Sequence, residues 1–170
     1  MRAVFSLGLS GTLLILASCG MLGDTGSSEI KLEEFTVTTA FETPAMGPTD
    51  RVAAVREGRV LKLGDEKPAT FISDTNLLSG PGYLYQGEYS IWLQRGLKDK
   101  WSVIYSRDLE STEYTEDYDS SILPLKHTQD ESLNEDLSIY LTTQDDRALM
   151  LISWGEHRFS TEFTVPPAKE

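Results

Sequence analysis

In the second half of the chain, apolar and polar residues alternate with a period of two. Tyr89, Ile91 and Leu93 alternate with Ser90, Trp92 and Gln94, and Trp101, Val103 and Tyr105 alternate with Ser102, Ile104 and Ser106. Leu137, Ile139 and Leu141 alternate with Ser138, Tyr140 and Thr142, and His157, Phe159, Phe163 and Val165 with Arg158, Ser160, Glu162 and Thr164. Successive strand side chains point to opposite faces, so these patterns predict strands with one core face and one wetter face. Residues 30–39, 52–55, 60–63 and 70–73 fit strands less cleanly. Residues 148–154 are apolar on both faces, which predicts a central strand covered on each side. Residues 96–100 read as a five-residue hairpin loop, residues 144–147 as the next connection, and Gly155-Glu156 as a type II′ hairpin turn. No window of 12 residues has helical periodicity. The predicted fold is all-β, a predominantly antiparallel β-sandwich of about seven to nine strands with little helix.

The first 20 residues do not fit that pattern. Arg2 precedes an apolar stretch from Ala3 to Leu16 that Ser6, Gly8, Ser10, Gly11 and Thr12 interrupt. A comfortable membrane span needs about 20 apolar residues; this stretch fits the h-region of a secretory signal peptide. It ends Leu16-Ala17-Ser18-Cys19-Gly20, which resembles the lipobox of bacterial lipoproteins, where the Cys becomes the lipidated N-terminus. A thiol can carry a thioether-linked diacylglycerol, and two or more acyl chains anchor stably where one does not. Cys19 is the only cysteine, so no internal disulfide competes for it. The expected organisation is a lipoprotein signal peptide at 1–18, lipidated Cys19 and a flexible tether at 19–28, a β-sandwich domain at 29–165 and a tail at 166–170. The expected location is the extracytoplasmic face of a bacterial cell envelope, with palmitate-type lipid on Cys19 as the contact with the membrane.

Charge narrows the partners. The 170 residues hold 15 Lys and Arg against 27 Asp and Glu, a net charge of −12. Removing residues 1–18 takes away Arg2 and no acid, which leaves a net −13. Such a chain cannot neutralise a polyanion, so no nucleic acid is expected. An acidic domain is also repelled by an anionic membrane surface, so lipid rather than a basic patch has to hold it there.

Candidate chemistry is sparse. Residues 108–136 carry ten acids against Lys126. Glu116, Asp117 and Asp119 are the candidate cation ligands among them, but no D-x-D-x-D-G spacing is present and a solvated acidic loop is the plainer reading. His127 and His157 lack H-E-x-x-H or H-x-H spacing; His157 lies on the apolar side of its strand, as a satisfied histidine at the edge of the core does. There is no G-x-S-x-G elbow and no glycine-rich phosphate loop, so no catalytic residue is assigned and no cofactor is expected. The aromatic residues Tyr83, Tyr85, Trp92 and Tyr140 are the candidate ligand contacts, because exposed rings offer flat apolar faces with a polar handle. Trp92, opposite Tyr89, Ile91 and Leu93, is the sharpest case; the alternative is that the N-terminal segment covers that face.

Four blocks carry a resemblance. They are Gly64 with Pro68-Ala69-Thr70-Phe71-Ile72-Ser73, then Leu84-Tyr85-Gln86-Gly87-Glu88-Tyr89-Ser90-Ile91-Trp92, Lys100-Trp101-Ser102-Val103-Ile104-Tyr105, and Ala148-Leu149-Met150-Leu151-Ile152-Ser153-Trp154-Gly155. In order and spacing, from about Arg59 to Val165, they resemble the bacterial family described as domain of unknown function 2911. Where that family has a Trp-Arg-Thr-Gly-Ala-Asn-Glu-like segment, this chain reads Leu61-Lys62-Leu63-Gly64-Asp65-Glu66-Lys67. The resemblance implies a β-sandwich in an extracytoplasmic setting and no particular activity. The expected function is a lipid-anchored, non-enzymatic binding module for an envelope protein or glycan. The alternatives are an envelope hydrolase and a purely structural envelope component. A cleft with convergent carboxylates or histidines favours the hydrolase, and an exposed patch around Trp92 and Tyr140 favours the binding module.

Overall fold

The computed structural model describes residues 25–32, 35–145 and 147–167, with only the backbone of residues 132–134. Its ten strands are β1 (Thr25–Lys31), β2 (Thr36–Glu42), β3 (Arg59–Lys62), β4 (Ala69–Ser73), β5 (Leu77–Ser79), β6 (Gly82–Leu84), β7 (Gly87–Arg95), β8 (Trp101–Ser106), β9 (Asp119–Gln144) and β10 (Arg147–Phe163). Eight form one sheet in the order β1-β2-β4-β7-β8-β9-β10, with β3 also paired to β7, and β5 and β6 form a separate ribbon. Every pairing is antiparallel. The fold is therefore all-β, as the alternation predicts. Its layers come from a single sheet that curls over on itself. Ala45 bridges to Asp136, the Met46 N–H donates to the Glu135 carbonyl at 2.6 Å, and the Leu137 N–H donates to the Pro44 carbonyl at 3.0 Å, so the chain after β2 reaches β9.

The buried face follows the period-2 pattern. Tyr89, Ile91, Leu93, Trp101, Val103, Tyr105, Leu137, Ile139, Leu141, Phe159 and Phe163 all join one core. At its centre Phe71 meets Tyr105 edge-on at 5.0 Å and Phe163 at 5.5 Å, and Tyr105 meets Tyr89 at 5.9 Å. Residues 96–100 form the expected hairpin loop, closed by the Gly96 N–H to the Lys100 carbonyl at 2.7 Å. Gln144 faces Arg147 across the next turn.

Several expectations change. Residues 52–55 are a turn, because the Asp50 side chain accepts the Ala53 N–H at 2.9 Å and the Ala54 N–H reaches the Asp50 carbonyl. The tether expected at 19–28 overlaps β1: Gly26, Ser27 and Ser28 pair with Phe41, Ala40 and Thr39. A Cβ on Gly26 would sit 2.5 Å from the Phe41 ring, so glycine there lets that ring pack. Residues 148–154 are not central, since β10 ends the sheet path and Leu149 and Leu151 are only half-buried. Residues 1–24, with the signal peptide and Cys19, and residues 168–170 of the tail lie outside the described part.

The largest change is at Gly155-Glu156. No hairpin turn forms there, and β10 runs straight through. Gly155 has φ +59°, and the ladder shifts on both sides of it. Ser153 pairs with Ser138, Gly155 with Asn134, and His157 with Gln129. Four steps along β10 thus span nine along β9. This is a bulge with a left-handed residue, a position that glycine fills without strain. A Cβ on Gly155 would also lie 2.8 Å from the Met46 methyl carbon.

Trp154 is the largest fully buried side chain in this core. Trp154→Ala is expected to cost about 3–5 kcal/mol of stability. Chemical denaturation of the two proteins checks this, and superimposable curves would contradict the assignment of Trp154 to the core.

Candidate functional site

The bulge moves His157 across from the first half of β9. His157 pairs with Gln129, and Phe159, two residues on, pairs with His127, so both histidines lie on one face. The His127 ring stacks on Phe159 at 4.7 Å, and Phe159 packs against Trp101 at 5.0 Å. The two imidazoles are nearly parallel, 16° apart, and His127 Nε2 lies 2.9 Å from His157 Nδ1. On its other side, His157 Nε2 lies 2.9 Å from Asp50 Oδ2. Asp50 is fixed in turn, because its Oδ1 accepts the Ala53 N–H.

The hairpin loop between β7 and β8 supplies the far wall. Lys98 and Asp99 both have positive φ, 56° and 57°. Consecutive left-handed residues without glycine are costly, about 1–2 kcal/mol each, and such strain gathers where a side chain has to be aimed. Here the turn brings Asp99 Oδ1 to 3.0 Å from Arg95 Nη2 and Asp99 Oδ2 to 3.9 Å from His127 Nδ1. Arg95 is held besides by Nη1, which donates to the carbonyls of Val55 at 2.8 Å and Ala53 at 3.4 Å. The result is a cleft of about 100 Å³ lined by Val52, Ala53, Arg95, Asp99, Trp101, His127, Gln129 and His157.

The hydrogen bonds fix a polarity. Burial pushes the Asp50 carboxyl up, but the Ala53 N–H and then His157 outweigh it, and its pKa ends below the ordinary carboxylate value. An ionised Asp50 only accepts, so His157 Nε2 donates to it. In a neutral His157, Nδ1 is then the acceptor and His127 Nε2 the donor. That leaves His127 Nδ1 as a lone pair facing Asp99 and the cleft. Burial, then the neighbouring His157, lowers the pKa of His127; Asp99 opposes this and Arg95 adds to it. At neutral pH the cleft therefore presents an unprotonated imidazole nitrogen beside a carboxylate.

The sequence-predicted residues lie elsewhere. Trp92 is 4% exposed, so it offers no open face. Its indole N–H donates to Ser90 Oγ at 3.1 Å, and Tyr114 lies edge-on over it at 5.8 Å. Residues 107–118, not the N-terminal segment, cover this face; the Ser90 hydroxyl donates to the Asp108 carbonyl at 2.7 Å. Tyr83, Tyr85 and Tyr140 are exposed, and Tyr83 and Tyr85 meet edge-on at 4.9 Å. Glu116 and Asp117 are in an exposed turn, and Asp119 accepts the Tyr114 hydroxyl at 2.6 Å. Burial, then that carboxylate, holds the Tyr114 phenol well above its ordinary pKa. The acidic segment thus serves as a cover over Trp92. Among the described residues no group of three or more His, Cys, Asp or Glu side chains is placed to hold a metal ion.

The family model described as Protein of unknown function (DUF2911) matches residues 25–163. The chain belongs to the DUF2911 family. The match runs from β1 to the end of β10, so it takes in Asp50, Arg95, Asp99, His127 and His157. It begins earlier than the quoted blocks do and takes in β1 and β2 as well. No curated protein and no solved structure matches this DUF2911 chain. The spacing of His127 and His157 in the sequence gives no sign that the two rings meet. The one available hint was that His157 shares the apolar side of β10 with Phe159.

The lowered His127 pKa has a pH consequence. The unfolded chain binds a proton at His127 more readily than the folded one does. The stability contributed by neutral His127 is therefore intact above about pH 6.5 and is lost as the pH falls from there through the lower native value. Asp50 acts in the same sense at more acidic pH, below about 3.9. Urea unfolding is expected to show a less stable protein at about pH 5.5 than at about pH 7.5, and His127→Phe, which keeps the stack on Phe159, is expected to narrow that gap. A gap of equal size in both proteins would rule out His127 as its source.

Proposed function

We propose that this DUF2911 protein is a lipid-anchored module of the bacterial cell envelope that binds a small polar ligand in the His127–His157 cleft. One observation carries the binding reading: Arg95 and Asp99, His127, and His157, from three separate stretches of the chain, line one cleft, and Asp50, from a fourth, holds His157 in place. Clefts with a few convergent polar groups are where ligands are taken up. The sequence Leu16-Ala17-Ser18-Cys19 supports the anchor. Five residues then separate Cys19 from β1, a span of at most about 18 Å, so the domain would lie close to the membrane while its negative charge resists direct contact with anionic headgroups. Among the described residues no helix is long and apolar enough to cross a membrane.

A second reading, an envelope hydrolase, is the one that convergent histidines and carboxylates favour by the criterion above, and the same hydrogen-bond chain supports it. Binding is put first because, among the described residues, the cleft lining holds no Ser, Thr or Cys side chain to act as nucleophile. Asp50 orients His157, His157 orients His127, and His127 Nδ1 is left as a base within reach of the cleft. A base held by a second group that a third group orients is the usual arrangement for activating a water or hydroxyl.

Two measurements test the proposal. In a bacterial host, the full-length chain is expected in the membrane fraction and Cys19→Ser in the soluble fraction; if Cys19→Ser stays with the membrane, the anchor is wrong. Histidine ring resonances of the full-length protein in non-ionic detergent are expected to move saturably with at least one small polar solute. Histidine resonances that ignore every solute would remove the cleft as a binding site. Turnover of a chromogenic ester or glycoside that is lost in His127→Gln would replace binding with hydrolysis.

A further inference from the structure

We propose that the ligand of this cleft carries a primary ammonium group, R–NH3+, held between His127 Nδ1 and Asp99 Oδ2. The inference rests on the reading of the cleft as the ligand site. The two atoms are 3.9 Å apart, too far to hydrogen-bond to each other. An N–H donor about 2.8–2.9 Å from both would subtend an angle of about 85–90°, within the tolerance of two N–H bonds on one tetrahedral nitrogen. A zinc-type ion at about 2.0–2.1 Å from both would need an angle of about 140°, far from tetrahedral. The spacing therefore suits a bridging N–H donor better than a metal ion. Gln129 brings a third acceptor to the same cleft for the third N–H.

Charge selects in the same direction. Asp99 Oδ1 is occupied by Arg95 at 3.0 Å, whereas Oδ2 points to His127. Two carboxylates, Asp50 and Asp99, stand against one guanidinium, so a single positive ligand brings the cluster to neutrality. The net charge of −12 draws cations toward the protein. An anion would meet Asp99 and a lone pair. Arg95 Nε and Trp101 Nε1, which have no hydrogen-bond partner among the described residues, are shut off from solvent and thus from a ligand in the cleft. A cleft of about 100 Å³ admits the aminomethyl end of a molecule rather than a bulky head.

Binding of this kind is coupled to protons. The groups that face His127 are His157 on β10, Asp99 and Arg95 at the β7–β8 loop, and, through His157, Asp50. One proton added to the imidazole pair turns His127 Nδ1 from acceptor to donor and makes the pair cationic. The ammonium then loses one of its acceptors and meets a like charge. It should bind at neutral pH and be released in acid.

The test uses the full-length chain in non-ionic detergent, with the histidine ring nitrogens observed by NMR. Methylammonium chloride is titrated against tetramethylammonium chloride and sodium chloride at matched ionic strength and about pH 7.5, where His127 is neutral. A saturable shift of His127 Nδ1 with methylammonium alone is expected. Asp99→Asn, which keeps a residue tolerant of the left-handed conformation, is expected to weaken that binding at least tenfold. Equal responses to all three salts, or unchanged affinity in Asp99→Asn, would overturn the proposal. A saturable shift with acetate or glycerol but none with methylammonium would overturn the ammonium and leave the cleft as a binding site. Silence toward every solute would overturn both.

Discussion

The register shift around Gly155 is the constraint on which the rest of this structure depends. Between Ser153 and His157 the partner strand advances by nine residues while β10 advances by four. The surplus of β9 has to go somewhere. Its backbone is taken up by residues 44–46, through the Ala45–Asp136 bridge and the Met46 and Leu137 N–H groups, and those contacts curl the sheet over its core. Met46 then lies against Gly155, at a distance that any side chain on residue 155 would violate, and the Arg51 N–H reaches the Met46 sulfur at 3.1 Å. The segment that closes the sheet is thus also the one that carries Asp50 to His157.

Local strain and tertiary packing meet at the cleft. Two left-handed residues in the β7–β8 loop cost conformational energy that an Asn-Gly turn would avoid. What they give is an Asp99 carboxylate that holds Arg95 with one oxygen and faces His127 with the other. The Asp50–His157–His127 chain does the complementary work from below: each hydrogen bond sets the tautomer of the next ring, so the half-exposed Asp50 carboxylate, acting through buried His157, determines the character of a nitrogen at the cleft mouth. The wall behind is rigid, since His127 is stacked on Phe159 and Phe159 on Trp101.

The opposite face of the sheet follows a different logic. Trp92, Ile104, Ser90 and Ser106 are buried there because residues 107–118 fold back over them. Tyr114 supplies apolar cover and ends on Asp119, so a segment dense in carboxylates acts as a lid. An acidic composition therefore conceals two jobs: most carboxylates are solvated, while Asp119 and Asp50 are tied into hydrogen bonds that hold loops in place.

Strand positions, the core face and the hairpin loop at 96–100 were legible in the sequence, because each depends on side chains a few residues apart. Period-2 alternation reports burial wherever a strand has one dry face, and Tyr89, Ile91, Leu93, Val103 and Tyr105 report it faithfully. The quoted blocks likewise sufficed for the family. Gly155-Glu156 reads as a turn in the sequence because a left-handed glycine fits a hairpin corner and a bulge equally well. For Trp92 the sequence leaves an open contact and a covered face both standing, because alternation cannot say what covers the second face. The histidine pair was beyond reach for a simple reason. A ladder continued straight from the Gln144–Arg147 pair would set His157 opposite Asn134 and His127 opposite Thr164, far apart. Only the bulged register, fixed by the chain after β2 closing over β9, brings the two rings within a hydrogen bond. Sequence determined what is local and periodic; the site depends on a long-range register, and only the tertiary structure decided that.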